Sequence, residues 1–449
     1  MSFNSRTLLA ELEELERITA QPARFLVAFS GGLDSTALLH AVAGAREQHS
    51  TDVVAVHIDH QLQADSSDWA RHCETVAAGL DVEFICRTVQ VDSKSGRGME
   101  AAARDARYAA FHDLMRAGDC LLSAHHRDDQ AETLLLNLMR GSGPTGLAGI
   151  PAVRSFGEGW LWRPLLGVPR SDLEAYAREH ELQWLEDPSN ATDVFDRNFL
   201  RQEILPRLEQ RWPGADKRIV RSAELARDAA GLLAELADID LRNMTVAAGR
   251  IDLGAFDTLS KPRQRNLLRQ LVANLGLPAP PAAKLESILE DLVPAREDAA
   301  PLVCWPGAEV RRYRGHLFVL SDAPPAVPTL EQFVFEDGAE TGLSAAVMEA
   351  GLELRFREGG EEIRPLGQAH TRTLKNLLQE EGVLPWMRER LPLLYSDGRL
   401  VAVADLWIDA ASAPQTGQDS IRTARVPLAP HPRPAHLHAC LNDCSSRTC

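Results

Sequence analysis

Residues Ser30 to Thr36 read Ser-Gly-Gly-Leu-Asp-Ser-Thr and combine hydroxyls, glycines and one carboxylate in a single turn. The turn follows the apolar run 25–29, which predicts a buried strand, and it precedes residues with the apolar spacing of a helix. Glycines let a backbone come close to a ligand, and a helix N-terminus offers unpaired N–H groups at a positive dipole end. We therefore predict a phosphate-binding turn. An ordinary strand–turn–helix with a serine cap is the alternative.

The turn differs from the nucleotide loop that ends in Gly-Lys-Ser or Gly-Lys-Thr, because no lysine follows its glycines. Ser30, Ser35 and Thr36 supply hydroxyl groups, and Asp34 places a negative charge beside the phosphates. A carboxylate repels phosphate unless a cation lies between them. The sequence therefore predicts that Asp34 lies near Mg²⁺.

A second polar group, His125 to Thr133, opens a helix directly after the apolar residues 121–124. Asp129 and Glu132 are three positions apart, so they share one helix face. Two carboxylates on one face suit a substrate ammonium group, or a divalent metal together with a histidine, and we favour the ammonium group. Acids that complement the helix dipole would explain one of the two.

Five arginines are candidates for contact with phosphate or with a nucleic-acid backbone: Arg104, Arg107, Arg140, Arg197 and Arg201. Arg104 and Arg107 lie on one face of a helix. Glu100 is four positions before Arg104, so a surface ion pair between them is an equally good interpretation.

The other three arginines border loops. Arg140 begins an Arg-Gly-Ser-Gly sequence whose alternative interpretation is a flexible connector. Arg197 and Arg201 follow the polar stretch Asp187 to Asn190 at the start of a helix, where a simple turn and cap is the alternative. Placed toward a ligand, both arginines would meet nucleic acid.

Alternating strands and helices must position these groups. Residues 53–60 read as a second buried strand whose polar end carries His57 and Asp59. In open α/β sheets ligands lie at the carboxyl ends of strands, so we place both residues beside a nucleotide. A helix near 65–79 and a strand near 82–86 continue the pattern. The predicted fold class is α/β, with a Rossmann-like parallel sheet in the N-terminal domain.

The chain changes character after residue 213. Residues 214–325 have helical spacing and predict a helical domain, which ends in the strand 317–320. A Pro-rich linker follows, and residues 345–425 predict a small α+β domain. Residues 427–449 are rich in Pro, His and Cys and are expected to be disordered. With residues 1–213 as the catalytic domain, the sequence predicts three domains.

The composition sets limits on the function. The chain has 449 residues, of which 45% are hydrophobic and 25% charged, as in ordinary soluble proteins. No run is apolar and long enough to span a bilayer, the acidic N-terminal helix does not resemble a signal peptide, and the seven cysteines form no paired framework. These features predict a cytoplasmic protein. The net charge of −16 argues against non-specific binding to nucleic acid, so basic contacts must be concentrated locally.

Taken together, the motifs resemble those of the bacterial tRNA(Ile)-lysidine synthases, which are PP-loop ATPases. The resemblance is dense over the first two hundred residues or so, and later segments are similar to the long form of the family with its C-terminal domains. Gln63 stands where the family has Arg. The matching segments are 30–35, 57–62, 100–108, 125–133, 140–143, 187–190 and 197–201.

The resemblance implies a two-step reaction with ATP and Mg²⁺ as cofactors. ATP adenylates the carbon-2 oxygen of the wobble cytidine in a tRNA(Ile) with a CAU anticodon and releases pyrophosphate. The side-chain amine of free lysine then displaces AMP and leaves lysidine. The partners implied are this tRNA and lysine, without a membrane or an obligate protein partner, and a homodimer is left open.

The resemblance also assigns roles to residues. Asp34, Asp129 and Glu132 are the expected catalytic residues, with the last two binding or orienting the lysine amines. The five arginines named above are the expected contacts to tRNA or phosphate. The expected ATP-binding residues are Ser30, Gly31, Gly32, Leu33, Asp34, Ser35 and Thr36, together with His57 and Asp59 from their place at the sheet edge.

Three other functions compete with this interpretation. A tRNA thiolation enzyme would use the same adenylating loop but needs a reactive cysteine pair, and no Cys-x-x-Cys occurs in the sequence. An amide-forming ligase that uses ammonia needs a glutaminase. A non-catalytic nucleotide sensor would not need Asp34, Asp129 and Glu132 together.

Overall fold

The computed structural model describes residues 3–19, 21–49, 51–61, 66–91, 99–186, 196–296, 299, 301–322, 334–337, 342–414 and 420–424. The chain divides into two compact units, Met1–Leu232 and Leu233–Cys449. The three-domain division inferred from the sequence stays a prediction. The Pro-rich linker, the tail 427–449, Gln63 and the stretch 187–190 lie outside the described residues.

The first unit contains a sheet and the helices that cover it. Its strands are β1 Arg24–Ala28, β2 Asp52–Asp59, β3 Glu83–Thr88, β4 Asp119–Leu122, β5 Val153–Phe156 and β6 Gly159–Trp162. Its helices are α1 Ser5–Thr19, α2 Leu33–His49, α3 Ser66–Gly79, α4 Met99–Leu114, α5 Arg127–Met139, α6 Pro144–Leu147, α7 Arg170–Glu179, α8 Asp196–Phe199, α9 Leu205–Arg211 and the first part of α10 Ala215–Met244. A π-helical segment, Leu200–Ile204, joins α8 to α9.

The strands form one sheet in the order β3-β2-β1-β4-β6-β5. The pairs β2–β3, β1–β2, β1–β4 and β4–β6 are parallel, and β5 is the antiparallel edge strand. This sheet confirms the predicted Rossmann-like fold class. Because parallel strands end at one edge of the sheet, the carboxyl ends of β1, β2, β4 and β6 meet there.

The two faces of the sheet are filled by alternate residues of the buried strands. In β1, Phe25 and Val27 pack on the face covered by α1, α2, α3 and α7, and Leu26 packs on the opposite face with α4. In β2, Val54 and Val56 lie on the α4 face. Both faces are therefore apolar, which explains why β1 and β2 read as unbroken apolar runs.

Most predicted elements of this unit are present with small shifts at their ends. The strand predicted at 121–124 spans residues 119–122, and the helix predicted from His125 begins at Arg127, with His126 as its N-cap residue. Within the residues that the structure describes, no helix is long and apolar enough to cross a membrane.

The second unit combines helices with antiparallel sheets. Its further helices are α11 Leu253–Asp257, α12 Lys261–Asn274, α13 Ala282–Ser287, α14 Ala345–Glu349, α15 Leu374–Glu380 and α16 Pro385–Arg388, with a π-helical segment at Ile288–Leu292. Its strands are β7 Thr245–Ala247, β8 Arg250–Asp252, β9 Leu302–Trp305, β10 Ala308–Tyr313, β11 His316–Leu320, β12 Val334–Asp337, β13 Leu343–Ser344, β14 Glu353–Arg355, β15 Glu362–Ile363, β16 Arg372–Thr373, β17 Leu393–Ser396, β18 Arg399–Val403, β19 Trp407–Ile408 and β20 Ser420–Ala424. These strands form sheets with the orders β7-β8-β11-β10-β9, β12-β20-β13, β14-β17-β18-β19 and β15-β16.

The helical prediction for residues 214–325 is correct for α10, α12 and α13 but incomplete. The strand predicted at 317–320 is β11, and it belongs to a five-stranded sheet rather than standing alone. Side chains of β11 belong to two hydrophobic cores. Leu317 packs with α12, and Phe318 packs with Leu374 and Leu377 of α15. The α+β character predicted after residue 345 is present.

Candidate active site

The turn between β1 and α2 requires glycine at its first corner. Gly31 has a φ of +80°, a conformation that side chains disfavour. A Cβ atom at Gly31 would lie 2.8 Å from both Cys73 Sγ and Trp69 Nε1. Trp69 in turn donates its Nε1–H to the carbonyl oxygen of Ser30. Helix α3 therefore packs directly against the turn and holds its backbone in place.

We expect Gly31→Ala to lower the free energy of unfolding by about 1–3 kcal/mol, through backbone strain and the clash with α3. Gly79→Ala is the matched control, because a Cβ atom there meets nothing within 4 Å. Urea denaturation of both variants checks this. Equal stabilities would contradict the described packing of the turn.

The hydroxyl groups of the turn are used partly to hold its own shape. Ser35 Oγ and Thr36 Oγ1 each donate to the carbonyl oxygen of Gly32 at 3.0 Å, and both side chains are buried. Ser30 Oγ lies 3.0 Å from Ser35 Oγ and is exposed. Leu33 is part of the apolar core. Of the predicted ATP-binding residues, Ser30 therefore has an exposed side chain, and Leu33 and Ser35 have only their backbone N–H groups to offer a ligand. The backbone N–H of Thr36 already donates to the Gly32 carbonyl at 3.0 Å.

Asp34 lies at the centre of the site. Its Oδ2 is 3.7 Å from His126 Nε2, and its Oδ1 is 3.7 Å from Arg170 Nε. Burial raises the pKa of Asp34, and the charges of His126 and Arg170 oppose that rise. Oδ1 is buried and has no hydrogen-bond partner among the described residues. An oxygen ligand for a cation is the kind of atom left in this state.

This arrangement fits Mg²⁺, which binds through one or two protein carboxylates and completes its shell with substrate phosphates and water. No group of three or more His, Cys, Asp or Glu side chains gathers into a metal site among the residues that the structure describes. The buried, unpartnered Oδ1 of Asp34 makes this residue the one that would hold such an ion beside the turn.

The start of α5 brings the second acidic pair to Asp34. The backbone N–H of His126 donates to Asp129 Oδ2 at 3.0 Å, which fixes the first turn of the helix. His126 Nε2 is 3.5 Å from Asp129 Oδ2 as well as near Asp34, so the buried ring of His126 links the two carboxylates. The sheet edge thus joins the turn after β1 to the helix after β4, as the sequence predicted.

Asp129 and Glu132 share one face of α5, and two arginines from the next segment cover that face. Arg201 donates from Nε to Glu132 Oε1 at 2.7 Å and from Nη2 to Asp129 Oδ1 at 3.2 Å. Arg197 Nε lies 3.1 Å from Glu132 Oε2, and its Nη2 donates to Thr133 Oγ1 at 2.8 Å. The acids predicted to hold an ammonium group and two arginines predicted to meet tRNA are therefore partners of one another in this structure.

The pKa values of the two carboxylates shift in opposite directions. Burial raises the pKa of Glu132, although its hydrogen bond with Arg201 opposes this. Burial would also raise the pKa of Asp129, but His126 and His125 outweigh it and the pKa of Asp129 is lowered. Asp129 is thus the more firmly ionised acid, and Glu132 is the one whose proton affinity is closer to that of a general base.

Arg140 lies apart from this cluster. It is the C-cap residue of α5, whose 13 residues span about 20 Å from the acidic end. The glycine loop after it is held by the buried Gln130, which accepts from the Ile150 N–H and donates to the Ile150 carbonyl. A Cβ atom at Gly149 would lie 2.2 Å from Gln130 Oε1. The loop is therefore anchored at its end rather than being a free connector.

His57 and Asp59 lie at the end of β2 but have different surroundings. His57 is buried, and its Nδ1 is 2.9 Å from the carbonyl oxygen of Phe29, which precedes the turn. Burial lowers the pKa of His57. Asp59 lines a cavity of about 510 Å³ together with Phe84 and Cys86 of β3. His57 therefore contacts the backbone just before the turn, and Asp59 lines the cavity.

Arg104 and Arg107 lie on α4 at the same edge. The Arg104 guanidinium lies over the ring of Tyr108, 5.3 Å from its centroid. Burial is the largest cause that lowers the pKa of His60, and the charge of Arg107 is the second largest. Burial lowers the pKa of His125 to about 4, and Arg104 and Arg197 contribute to this. The structure thus places Arg197 and Arg201 on the acidic pair and Arg104 close enough to affect His125, whereas Arg107 acts on His60 after the end of β2.

Two neighbours of the turn were missed from the sequence. Arg170, the first residue of α7, faces Asp34, and Trp69 of α3 holds Ser30. Both are distant from the turn along the chain and lie in no recognisable motif. Arg170 follows Pro169, which starts a helix, but a helix start alone does not indicate a catalytic neighbour.

The fold and the site define the first unit as a PP-loop ATP-binding domain, and residues 4–208 match the family described as "PP-loop domain". Residues 251–318 match the "TilS substrate binding domain", and residues 352–424 match the "TilS substrate C-terminal domain".

Full-length relatives agree with these matches. The tRNA(Ile)-lysidine synthase of Xanthomonas campestris pv. campestris (strain 8004) is 42% identical over 401 residues, which cover 87% of this chain and 92% of the relative. The enzyme of the same name from Alkalilimnicola ehrlichii is 43% identical over 85% of this chain and 89% of its own length, and that from Serratia proteamaculans is 39% identical over 91% and 97%. The chain belongs to the tRNA(Ile)-lysidine synthase family.

Proposed function

We propose that this protein ligates lysine to carbon-2 of the wobble cytidine in a tRNA(Ile) with a CAU anticodon, and that it uses ATP to do so. The observation that carries the proposal is geometric: the buried His126 lies between Asp34 and the acidic pair of α5 at one sheet edge. The chain that holds this arrangement belongs to the family named above. An adenylating site and an amine-binding site must lie side by side for such a reaction. The products are lysidine, AMP and pyrophosphate.

In the first step the turn from Ser30 to Thr36 binds the phosphates of ATP. The Ser30 hydroxyl and the backbone N–H groups of Leu33 and Ser35 would bind the phosphates, and Asp34 would hold the Mg²⁺ that accompanies the nucleotide. Mg²⁺, when bound, supplies neutralisation of the phosphate charge as pyrophosphate leaves. The carbon-2 oxygen of the base attacks the α-phosphorus, and the bond from that phosphorus to pyrophosphate breaks.

In the second step the lysine amine attacks carbon-2, and AMP leaves with the former base oxygen. The amine is mostly protonated at neutral pH, since its pKa is near 10.4. Asp129, which is firmly ionised, suits the binding of the ammonium form, and Glu132, whose pKa is raised, suits the acceptance of a proton. For lysine to bind, Arg197 and Arg201 must give up part of their contact with the two carboxylates. Phosphate groups are the natural alternative partners for both guanidiniums.

The chain needs local basic contacts for tRNA, because its net charge is −16. Arg104, Arg107, Arg197 and Arg201 supply such contacts beside the site. Arg140 is a candidate for a contact farther along the RNA. The matches to substrate domains in the second unit make residues 251–318 and 352–424 the proposed regions for the rest of the tRNA. Function in the cytoplasm, where tRNA is modified, remains part of this proposal.

The alternative of tRNA thiolation needs an activated thiolate. Burial raises the pKa of Cys73 and of Cys120 to about 12 in each case, and burial and the charge of Asp59 raise the pKa of the exposed Cys86, so none of these three thiols is activated by its surroundings. This observation favours ligation of an amine over transfer of sulfur.

The direct test is incorporation of labelled lysine with ATP into a CAU-anticodon tRNA(Ile) transcript. The control transcript has uridine in place of the wobble cytidine. We expect label in the first transcript and none in the second. Incorporation into both would mean that the target base is misassigned, and incorporation into neither would reject the proposed activity.

A further inference from the structure

A cluster of three arginines surrounds Tyr108 beside the active site, and two of its members have no role in the reaction described above. Arg104 comes from α4, Arg154 from β5, and Arg163 directly follows β6. Arg154 and Arg163 belong to no motif singled out from the sequence. We call Arg104, Arg154, Arg163 and Tyr108 the Tyr108 cluster.

The cluster has a buried floor and an exposed rim. Arg163 is 4% exposed, donates from Nη1 to the Pro151 carbonyl at 2.7 Å and hydrogen-bonds with Tyr108. Arg104 and Arg154 are exposed, and their guanidiniums lie 5.3 and 5.8 Å from the centroid of the Tyr108 ring. The Arg154 guanidinium also lies 5.1 Å from the centroid of the Phe156 ring, and its Nη1 donates to the Ser155 carbonyl at 3.3 Å. Stacking of this kind orients a guanidinium and leaves its remaining N–H groups available to an anion.

The charges of the cluster are not balanced within it. No ion pair between these three arginines and a carboxylate occurs among the side chains that the structure describes. Burial lowers the pKa of Arg163, and Arg154 and Arg104 also act in that direction. Arg163 Nε is buried and has no hydrogen-bond partner there. Gathering like charges is unfavourable unless an anion joins them, and an unsatisfied buried donor needs a partner.

The position of the cluster connects it to the reaction. Trp162, the last residue of β6, pairs with Leu122 of β4, and its carbonyl accepts from the Ser123 N–H. Arg163 therefore lies at the same sheet edge as the start of α5. His125, two residues after Ser123, responds to the charges of both Arg163 and Arg104. A ligand in the cluster would therefore lie at the same sheet edge as the acids of α5.

We propose that Arg104, Arg154 and Arg163, with the Tyr108 hydroxyl, form a binding site for a phosphate group of a substrate. The proposal rests on the proposed function, because that function brings two sources of phosphate to this edge: the phosphates of ATP and the backbone diesters of the anticodon loop. Both share a tetrahedral anion that accepts paired N–H donors from arginine. A purely structural role of the cation–aromatic contacts is the opposing account.

Arg154→Gln tests the site, because Arg154 is exposed and its loss leaves the buried floor intact. Arg116→Gln is the matched control, because it removes one exposed arginine just before β4, at the opposite edge of the sheet. Two binding measurements on the full chain separate the sources of phosphate. The first is tRNA affinity without ATP as a function of salt, and the second is ATP affinity without tRNA.

If the ligand is a backbone diester, Arg154→Gln is expected to weaken tRNA binding about tenfold and to reduce the slope of log affinity against log salt by about 0.7, with unchanged ATP affinity. If it is the nucleotide, ATP affinity is expected to fall about tenfold and the salt slope to stay as in Arg116→Gln. Either result supports the site. Arg154→Lys, which keeps the charge but not the paired donors, is expected to restore the slope only.

Affinities and salt slopes that match those of Arg116→Gln in both measurements would overturn the proposal. If Arg154→Gln fails to fold, Arg104→Gln, which is also exposed, takes its place in the same comparison. Binding is measured without turnover, so a failure here is distinct from a failure of lysine incorporation by the unmodified protein.

Discussion

Asp34→Asn is expected to reduce pyrophosphate release by about a hundredfold or more, because removal of one preorganised electrostatic partner of the reacting group costs this much. Asparagine keeps the size of the side chain but loses the charge that faces the ion and the phosphates. The carboxylate oxygen Oδ1 is buried without a hydrogen-bond partner among the described residues, so the native structure keeps it available for such a task.

The same substitution is expected to leave the free energy of unfolding unchanged or to raise it. Burial raises the pKa of Asp34, which means that the folded state disfavours the charged carboxylate relative to the unfolded state. The sign follows directly: above the raised pKa the ionised group lowers stability, and a neutral amide removes that effect. Rate and stability should therefore change in opposite directions.

Pyrophosphate release in the presence of tRNA and urea denaturation measure the two quantities on one sample. Asp68→Asn is the matched control, because Asp68 is an exposed residue of α3 that pairs with Arg71 at 3.0 Å. Turnover of Asp34→Asn close to that of the control would remove Asp34 from the centre of the mechanism.

Glu132→Gln is expected to have the second large effect, on both stability and turnover. Glu132 is 0% exposed and binds Arg201 through both carboxylate oxygens, and Arg197 through one. Without its charge, two partly buried guanidiniums lose their counter-ion. Because burial raises the pKa of Glu132, the folded state does not favour its charge, and the expected loss comes instead from the guanidinium N–H groups from which an amide nitrogen cannot accept. Leaving such buried donors unsatisfied costs about 1–3 kcal/mol of unfolding free energy. Lysine incorporation is expected to fall as well, since the residue is also the proposed proton acceptor.

The matched control is Glu203→Gln in the neighbouring π-helical segment, where the exposed Glu203 bonds Arg207 at 2.7 Å. Such a surface pair contributes about 0–1 kcal/mol. Thermal and urea unfolding of both variants, with lysine incorporation at several pH values, distinguish a structural role from a catalytic one. If Glu132→Gln retains near-normal turnover, the residue is not the base, and if its stability equals that of Glu203→Gln, the arginine network does not hold this part of the fold.

The central strands and the acidic face of α5 could be inferred from local sequence. Apolar runs at 25–29 and 53–58 predict strands buried on both faces, and the structure places them at the centre of the sheet. The three-residue spacing of Asp129 and Glu132 is enough to place them on one helix face. These inferences succeed because strand burial and helix periodicity act over a few residues.

The partners of those residues could not be inferred. The pairing of Arg201 with Glu132 joins residues 69 apart, and the contact of Trp69 with Ser30 joins residues 39 apart. Such contacts depend on how helices pack, which a local pattern does not encode. Similarly, the sequence predicts the Ser35 and Thr36 hydroxyls as ligand contacts, whereas in the structure both donate to the Gly32 carbonyl because the tight turn brings it within reach.

The short antiparallel strands are the elements that are hardest to predict from the sequence. The strands β7 to β10 have three to six residues each and partly exposed side chains, so neither length nor alternation separates them from loops. The helices around them have clear periodicity, which explains why a helical region was predicted where helices and a sheet occur together.

The most direct measurement follows the carbon-2 oxygen of the wobble cytidine. A CAU-anticodon tRNA(Ile) that carries ¹⁸O at this position is incubated with the protein, ATP and lysine, and the released AMP is analysed by mass spectrometry. Adenylation of the base at the turn Ser30–Thr36 transfers this oxygen to AMP, so one ¹⁸O per AMP is the predicted result. AMP without the label, at a yield equal to that of lysidine, would contradict activation of the base by ATP.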